Sequence, residues 1–122
     1  MKLSELIQLI NGTLLTHLLS EDVEIAGAMG ADLMSDVLTS IQPESILMTG
    51  LCNPQVVRTA LIADICAIVF VRGKNPTIET IEIANEENIP LIKTNFGMFE
   101  ACGILYAKGL PGYETNNNHD PA

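Results

Sequence analysis

The sequence predicts an α/β domain of three layers, in which helices cover both faces of a mostly parallel core sheet. From residue 45 onward, short apolar runs alternate with segments of helical periodicity, and this alternation is typical of parallel βαβ units. The strongest run, 66–71, is apolar at every position. A continuous apolar run of this length predicts a strand that is buried on both faces.

Short elements are predicted before residue 27. Apolar residues at helical spacing indicate a helix over 3–10, which the dipeptide Asn11-Gly12 ends. Two β-type runs follow at 13–15 and 23–26. We expect these two strands to lie at one edge of the sheet and to differ in direction.

A glycine-containing turn precedes the second helix. Gly27 and Gly30 are expected to break the chain. The helix that follows is predicted over 32–41, because its apolar residues fall on one face. Asp32 is its expected N-cap, since a carboxylate accepts hydrogen bonds from the free N–H groups of a first turn.

Three strand–helix units are predicted in the rest of the chain. The strands cover 45–49, 66–71 and 89–93, and the helices cover 54–64, 76–87 and 96–108. Two of these helices are expected to begin alike, with Asn as N-cap and proline at the first helical position, in Asn53-Pro54 and Asn75-Pro76. Thr94 or Asn95 is expected to cap the last helix.

Length and composition favour one domain. A chain of 122 residues with 48% hydrophobic content can bury a single core without cross-links. We expect the domain to cover 1–110 and a flexible tail to cover 111–122. Cys52, Cys66 and Cys102 form no C-x-x-C pair, which argues against a disulfide framework or a zinc site. No cofactor or metal is expected.

The charge balance excludes several classes of partner. The formal net charge of −9 disfavours nucleic acids and anionic membranes, because both repel the domain at long range. No apolar stretch approaches the length of a membrane-spanning helix, and the first residues turn polar too soon for a signal peptide. We therefore expect a cytoplasmic protein.

Three predicted loops should meet at the carboxyl edge of the sheet, where open α/β sheets bind ligands. The candidate ligand-binding residues in these loops are Gly50, Asn53, Arg72, Gly73, Lys74, Asn75, Thr94 and Asn95. Cations also collect here, namely Arg72, Lys74 and Lys93, with Arg58 near the start of an adjoining helix. One interpretation is a site for an anion such as a phosphate or a nucleotide, and the alternative is that cations simply prefer exposed loops.

No catalytic constellation is recognisable. His17 and His119 lack a partner Cys, Ser or acid at a known spacing, and the chain has no P-loop, dinucleotide or nucleophile-elbow motif. Asp32 and Asp36 have the spacing of one helical face, but helix capping explains Asp32 more simply than metal binding. Cys52, beside a predicted helix N-terminus, is the one candidate for a reactive thiol.

The order of residues resembles that of the DRTGG domain family. The segment 22–38 is similar to the family's signature, a glycine-containing turn that leads into a helix of the pattern D-L-[LM]-S-D-V-[LM]. The matching residues are Asp22, Gly27, Asp32, Ser35 and Asp36. Further matches follow in the family's order, so that the resemblance covers residues from about 3 to 112. Val23 stands where the signature has arginine, and Ala28 where it tends to have glycine.

The resemblance implies a fold similar to the N-terminal domain of bacterial HPr kinase/phosphorylase, which is not the catalytic domain of that enzyme. It implies a non-catalytic regulatory module that senses a small anionic ligand such as an adenine nucleotide. A homodimer is the expected assembly, and an enzyme or a CBS-domain protein is a candidate partner. The alternative is a dimerisation or partner-docking domain that binds no ligand. Because Val23 lacks the cation of the signature, we expect the ligand at the carboxyl edge.

Overall fold

The computed structural model describes residues 1–113 and has the predicted α/β architecture. Helices and strands alternate along most of the chain. In chain order the elements are α1 Leu3–Leu9, β1 Thr13–Leu14, β2 Gly27–Gly30, α2 Met34–Ser40, β3 Ser45–Thr49, α3 Pro54–Ile62, β4 Ala67–Phe70, α4 Ile78–Glu86, β5 Leu91–Lys93 and α5 Met98–Ala107.

The strands form one five-stranded sheet in the order β1-β5-β4-β3-β2. Strands β2 to β5 are parallel, and β1 pairs antiparallel with β5. We expected the first two strands to lie together at one edge, and this was wrong. β1 and β2 form opposite edges, because the three parallel βα units that follow place β3, β4 and β5 between them.

Helices cover the sheet on both sides. Along β3, Leu47 points into the cluster that α2, α3 and α4 cover, whereas Ile46 and Met48 point into the cluster beneath α1 and α5. Every residue of β3 and β4 is buried. The predicted three-layer α/β/α fold with a mostly parallel core sheet is therefore confirmed.

The second strand lies four residues later than predicted. Residues 23–26 do not form it; instead the Leu3 N–H donates to the Val23 carbonyl at 2.8 Å, and the Ile25 N–H donates to the Met1 carbonyl at 2.7 Å. The glycine-containing segment is itself the strand β2. Glycine suits this strand because neighbours approach it closely, with Met98 Sδ 3.0 Å from the position that a Cβ on Gly30 would take.

Three predicted helix starts also need correction. Asp32 does not cap α2, whose N-cap is Leu33, because its carboxylate binds elsewhere in the fold. Helix α4 begins with Thr77 as N-cap, which accepts from the Thr80 N–H, and not with Asn75-Pro76. Helix α5 has Gly97 as N-cap in place of Thr94 or Asn95. The predicted Asn53 cap of α3 is confirmed, since Asn53 Oδ1 accepts from the Gln55 N–H at 3.1 Å.

The segment after α5 runs along the outer edge of β2. The Ala28 N–H donates to the Pro111 carbonyl at 3.0 Å, and the Tyr113 N–H donates to the Ala28 carbonyl at 2.8 Å. Leu110, just before this segment, is buried in the core. Residues 111–113 of the expected tail thus form hydrogen bonds with the sheet, and residues 114–122 lie outside the described part of the chain.

Gly27 holds this edge segment close to the sheet, which yields a test. A methyl group on Gly27 would overlap the Cβ of Tyr113 and touch the Pro111 carbonyl oxygen. We expect Gly27→Ala to lower the free energy of unfolding by about 1–3 kcal/mol, the usual range for overpacking. Urea denaturation measures this loss. Gly112→Ala is the matched control, because its added methyl group has no neighbour within 4 Å; equal losses in both variants would show that the close approach has no energetic effect.

Candidate functional site

The carboxyl ends of the four parallel strands form what we call the carboxyl rim. It consists of Asp32 after β2 and of the loops 50–53, 72–75 and 94–95, which follow β3, β4 and β5. The predicted loops are therefore neighbours in the structure, because parallel strands end at the same edge of a sheet.

Asp32 joins the ends of β2 and β3. Its Oδ1 accepts a hydrogen bond from the Gly50 N–H at 2.7 Å and another from the Thr49 hydroxyl at 3.1 Å. Gly50 is buried, so the carboxylate supplies an acceptor to an N–H group that water does not reach. The role that Asp32 plays here replaces the capping role predicted for it.

The loops after β4 and β5 are held together through their backbones. Arg72 and Gly73 both lie in the left-handed region, with φ of 60° and 66°. This conformation turns their N–H groups toward the next loop, where they donate to the Phe96 and Thr94 carbonyls, each at 2.8 Å. Asn95 Oδ1 lies 2.9 Å from the position that a Cβ on Gly73 would take, so only glycine fits there.

Not every predicted rim residue is available to a ligand. Thr94 is buried, and its hydroxyl donates to the Ile10 carbonyl at 2.6 Å and accepts from the Phe96 N–H at 3.2 Å. The side-chain oxygen of Asn53 accepts a hydrogen bond from the start of α3. That of Asn75 accepts one from Lys93 Nζ at 2.9 Å. Asn95 is exposed.

The cations of the rim have no ion pair within 4.0 Å in the described part of the chain. In residues 1–113, the ion pairs within 4.0 Å join the N-terminal amino group and Lys2 to Glu24, far from the rim. Arg72 and Lys74 are exposed, and Lys74 Nζ lies 3.7 Å from the position of a Cβ on Gly50, beside Asp32. The rim thus presents positive charge in a domain whose net charge is −9.

The residues of the signature segment are dispersed. Asp22 lies near the start of α1, where it accepts from the Ser4 N–H at 3.1 Å and from the Ser4 hydroxyl at 2.5 Å. The hydroxyl bond holds the pKa of Asp22 below its ordinary value. Gly27 packs on Tyr113, and Ser35 and Asp36 are exposed in the first turn of α2. Of the five residues, Asp32 alone reaches the rim.

The cysteines are not activated thiols. Burial raises the pKa of Cys52, and Lys74 nearby offsets only part of this effect. Burial also raises the pKa of Cys102, and it raises that of Cys66 to about 11. The prediction that Cys52 is a reactive thiol is therefore not supported by its surroundings, since low-pKa thiols are the reactive ones.

Other predicted candidates show no constellation. His17 is exposed, and its backbone N–H donates to Asn85 Oδ1 at 2.9 Å. His119 lies outside the described residues. Asp36 is in α2 but Asp32 precedes it, so the two do not share a helical face. The part of the chain that the structure describes holds no group of three metal-ligating side chains, and none of its helices is long and apolar enough to span a bilayer.

An open groove of about 590 Å³, which was not among the expectations from the sequence, lies between β2 and α5. Its lining includes Ala28, Gly30, Met48, Met98, Cys102 and Leu105. Two signals in the sequence could have indicated it. Small residues recur in β2, and α5 is apolar on nearly every side, although a helix at the surface of a domain normally carries a polar face.

Comparison with known proteins supports the fold. No protein-family model matches the sequence, and no curated protein does either. Among solved structures, the chain is similar to the CBS and DRTGG domains of the regulatory region of Clostridium perfringens pyrophosphatase, complexed with the activator diadenosine tetraphosphate. The TM-score is 0.72 at 16% sequence identity, and the match covers 95% of this chain and 51% of that one. This chain therefore spans about half of that structure's chain, and the resemblance to DRTGG domains is supported at the level of fold.

The role of Asp32 can be tested by its removal. We expect Asp32→Ala to lower the free energy of unfolding by about 1–3 kcal/mol, because the buried Gly50 N–H loses its acceptor. Asp36→Ala is the matched control, since it removes the same charge from an exposed position. Urea denaturation of both variants measures the difference. If the two variants are equally stable, the Asp32 bonds do not hold the rim.

The raised pKa of Cys66 can be tested by its rate of alkylation. We expect Cys66 to be alkylated by iodoacetamide much more slowly in the folded protein than in urea at pH 8, because burial favours the neutral thiol. Its pKa is raised from 9.0 to about 11, so the stability gained from the neutral thiol is complete below pH 9.0 and is lost as the pH rises toward 11. Mass spectrometry of the alkylated peptides gives the rate for each thiol. Equal rates in the folded and unfolded protein would contradict this assignment.

Proposed function

We propose that this chain is a non-catalytic regulatory module that binds a small anionic ligand, such as an adenine nucleotide, at the carboxyl rim. The observation that carries the proposal is the exposed pair Arg72 and Lys74. Both lie on a loop whose backbone is fixed by the hydrogen bonds to Phe96 and Thr94, and neither has a carboxylate within 4.0 Å among residues 1–113. Fixed, unpaired cations at the edge of an α/β sheet suit an anion.

The start of α5 adds to this positive region. Helices α3 and α4 begin at the rim with side-chain caps, from Asn53 and Thr77, whereas α5 begins with Gly97 and has no side-chain cap. Free N–H groups in the first turn of a helix attract anions. Arg72 lies beside this turn, since its Cγ is 3.8 Å from the position that a Cβ on Gly97 would take. Glu100 is exposed in the same turn, so Arg72 has to outweigh its negative charge.

Asp32 favours a ligand that also carries hydroxyl groups. Its Oδ1 is occupied by Gly50 and Thr49, and the carboxylate is exposed near Lys74. A carboxylate beside a phosphate site repels a second anion but accepts hydrogen bonds from sugar hydroxyls, as acidic residues do in dinucleotide-binding sheets. A sugar phosphate therefore suits the Asp32 carboxylate and the neighbouring cation Lys74 better than inorganic phosphate does.

The solved structure that this chain resembles supports the choice of ligand class and of role. That structure is a regulatory region bound to an activator, and the activator is an adenine nucleotide derivative. By the same comparison, an enzyme or a CBS-domain protein is the partner class we propose for this chain. Action in the cytoplasm and assembly as a homodimer belong to the same proposal.

A second candidate function is a dimerisation or partner-docking domain without a ligand. Phe99 and Tyr106 on α5 favour it, because their side chains are 93% and 73% exposed. Exposed large aromatic residues on one helix are a common feature of protein interfaces.

Charge removal separates the two functions. We expect the double variant Arg72→Gln/Lys74→Gln to bind AMP at least about tenfold more weakly than the unmodified protein, since each hydrogen bond to a charged group contributes about 1.5–3 kcal/mol. Isothermal titration calorimetry measures the affinity. AMP at 100 times its Kd should also stabilise the unmodified protein by about 2.7 kcal/mol in a thermal unfolding experiment.

Lys108→Gln is the matched control, because Lys108 is an exposed cation at the far end of α5. It should change the affinity less than twofold. If the unmodified protein binds neither AMP nor ribose 5-phosphate but forms a tight dimer by light scattering, the ligand-binding function is wrong and the interaction domain is correct.

A further inference from the structure

The groove between β2 and α5 is apolar and of the size of a ligand site. Its volume is about 590 Å³, within the range of about 300–1,000 Å³ that is usual for small-molecule sites. Ala28 and Gly30 of β2 and Met48 of β3 form its floor, and Met98, Cys102 and Leu105 of α5 form one wall. Sulfur atoms are thus frequent in the lining, and thioethers make favourable contacts with aromatic rings.

Gly103 leaves an open space on the exposed side of α5. It lies inside the helix, is exposed, and a Cβ built on it would have no neighbour within 4 Å. Glycine destabilises a helix interior relative to alanine, and no contact within residues 1–113 requires the missing side chain. The open space above Gly103 gives a group outside the domain room to pack against the helix.

Two aromatic side chains flank this space. Phe99 precedes Gly103 by one helical turn, and Tyr106 follows it by nearly one turn, so both lie on the same side of α5 as Gly103. Both residues line the groove although most of their surface is exposed. A flat ring that lies over Gly103 would contact one or both of these side chains.

The end of the groove formed by Gly30 and Met98 lies next to the carboxyl rim. Met98 follows Gly97, beside which the Arg72 side chain passes. On the opposite side, Gly30 is two residues before Asp32 and lies against Met98 and Cys102. An apolar surface and a cationic surface therefore meet at the N-terminus of α5.

We propose that the groove binds the planar aromatic part of the ligand whose phosphate lies at Arg72 and the uncapped start of α5. The ligand class is therefore an aromatic heterocycle that carries a sugar phosphate. This inference rests on the proposed function, and it assigns a second subsite to the same ligand. Arg72, whose side chain passes beside the start of α5, supplies the charge that favours such an anion over a purely apolar occupant.

AMP and ribose 5-phosphate test the subsite, because the two molecules differ by the base. We expect the unmodified protein to bind AMP about tenfold more tightly than ribose 5-phosphate, the lower part of the range for the stacking of one base on aromatic side chains. Gly103→Leu, which fills the open space, should weaken AMP binding about tenfold and leave ribose 5-phosphate binding unchanged. Calorimetry gives the four affinities.

Two further variants provide a test that does not depend on the folding of Gly103→Leu. Tyr106→Ala should reduce AMP affinity, whereas Ile62→Ala should not, although Ile62 on α3 is as exposed as Tyr106, at 73%. Circular dichroism confirms that each variant is folded. If Gly103→Leu does not fold, this second pair decides the question.

The outcomes distinguish this inference from the function on which it rests. Equal affinities for AMP and ribose 5-phosphate would overturn the aromatic subsite and leave the anion site intact. No binding of either compound would overturn the proposed function itself. If Gly103→Leu dissociates a dimer without a change in AMP affinity, a second copy of the chain occupies the groove and the subsite assignment is wrong.

Discussion

β3 and β4 lie at the centre of the sheet, and neither strand has a face that water can reach. This constraint determines most of the architecture. Helices have to cover both faces, so each connection between neighbouring parallel strands crosses back over the sheet. All four parallel strands consequently end at the same edge, and the loops after them meet there. The proximity of Asp32 to Lys74, which is far from it in the sequence, is a consequence of burying two strands completely.

At this edge the backbone and the side chains have separate roles. Backbone N–H groups of Arg72 and Gly73 are used to join adjacent loops, and the Asp32 carboxylate holds the Gly50 N–H. Because these polar groups are satisfied within the protein, the loops stay in place without a ligand. The charged ends of Arg72 and Lys74 take no part in this hydrogen-bond network. Because these loops are ordered beforehand, a ligand that bound at this edge would lose little entropy in ordering them.

Much of the fold could be predicted from the sequence, because β3 to α5 follow simple rules of apolar periodicity and turn chemistry. Prediction failed where long-range contacts decide the outcome. Gly27 and Gly30 look like chain breakers, but both lie in a strand. Tyr113, distant in sequence, leaves no room for a Cβ at Gly27, and Met98 packs closely on Gly30. The carboxylate of Asp32 looks like a cap, but it bonds to the end of β3. The meeting of the three loops at the carboxyl edge was predicted correctly. The burial of Thr94 and the groove beside α5 depend on packing that no local pattern encodes.

The segment at 111–113 has a consequence for how copies of this chain can associate. Edge strands with free N–H and carbonyl groups are templates for sheet extension between molecules. Here the segment pairs with Ala28 on the outer side of β2, and the opposite edge strand, β1, has two residues. Neither edge offers a long, open row of backbone groups. Assembly through a continuous intermolecular sheet is therefore disfavoured, and any contact between copies would rely on other surfaces, such as the helical layers, where side chains set the geometry.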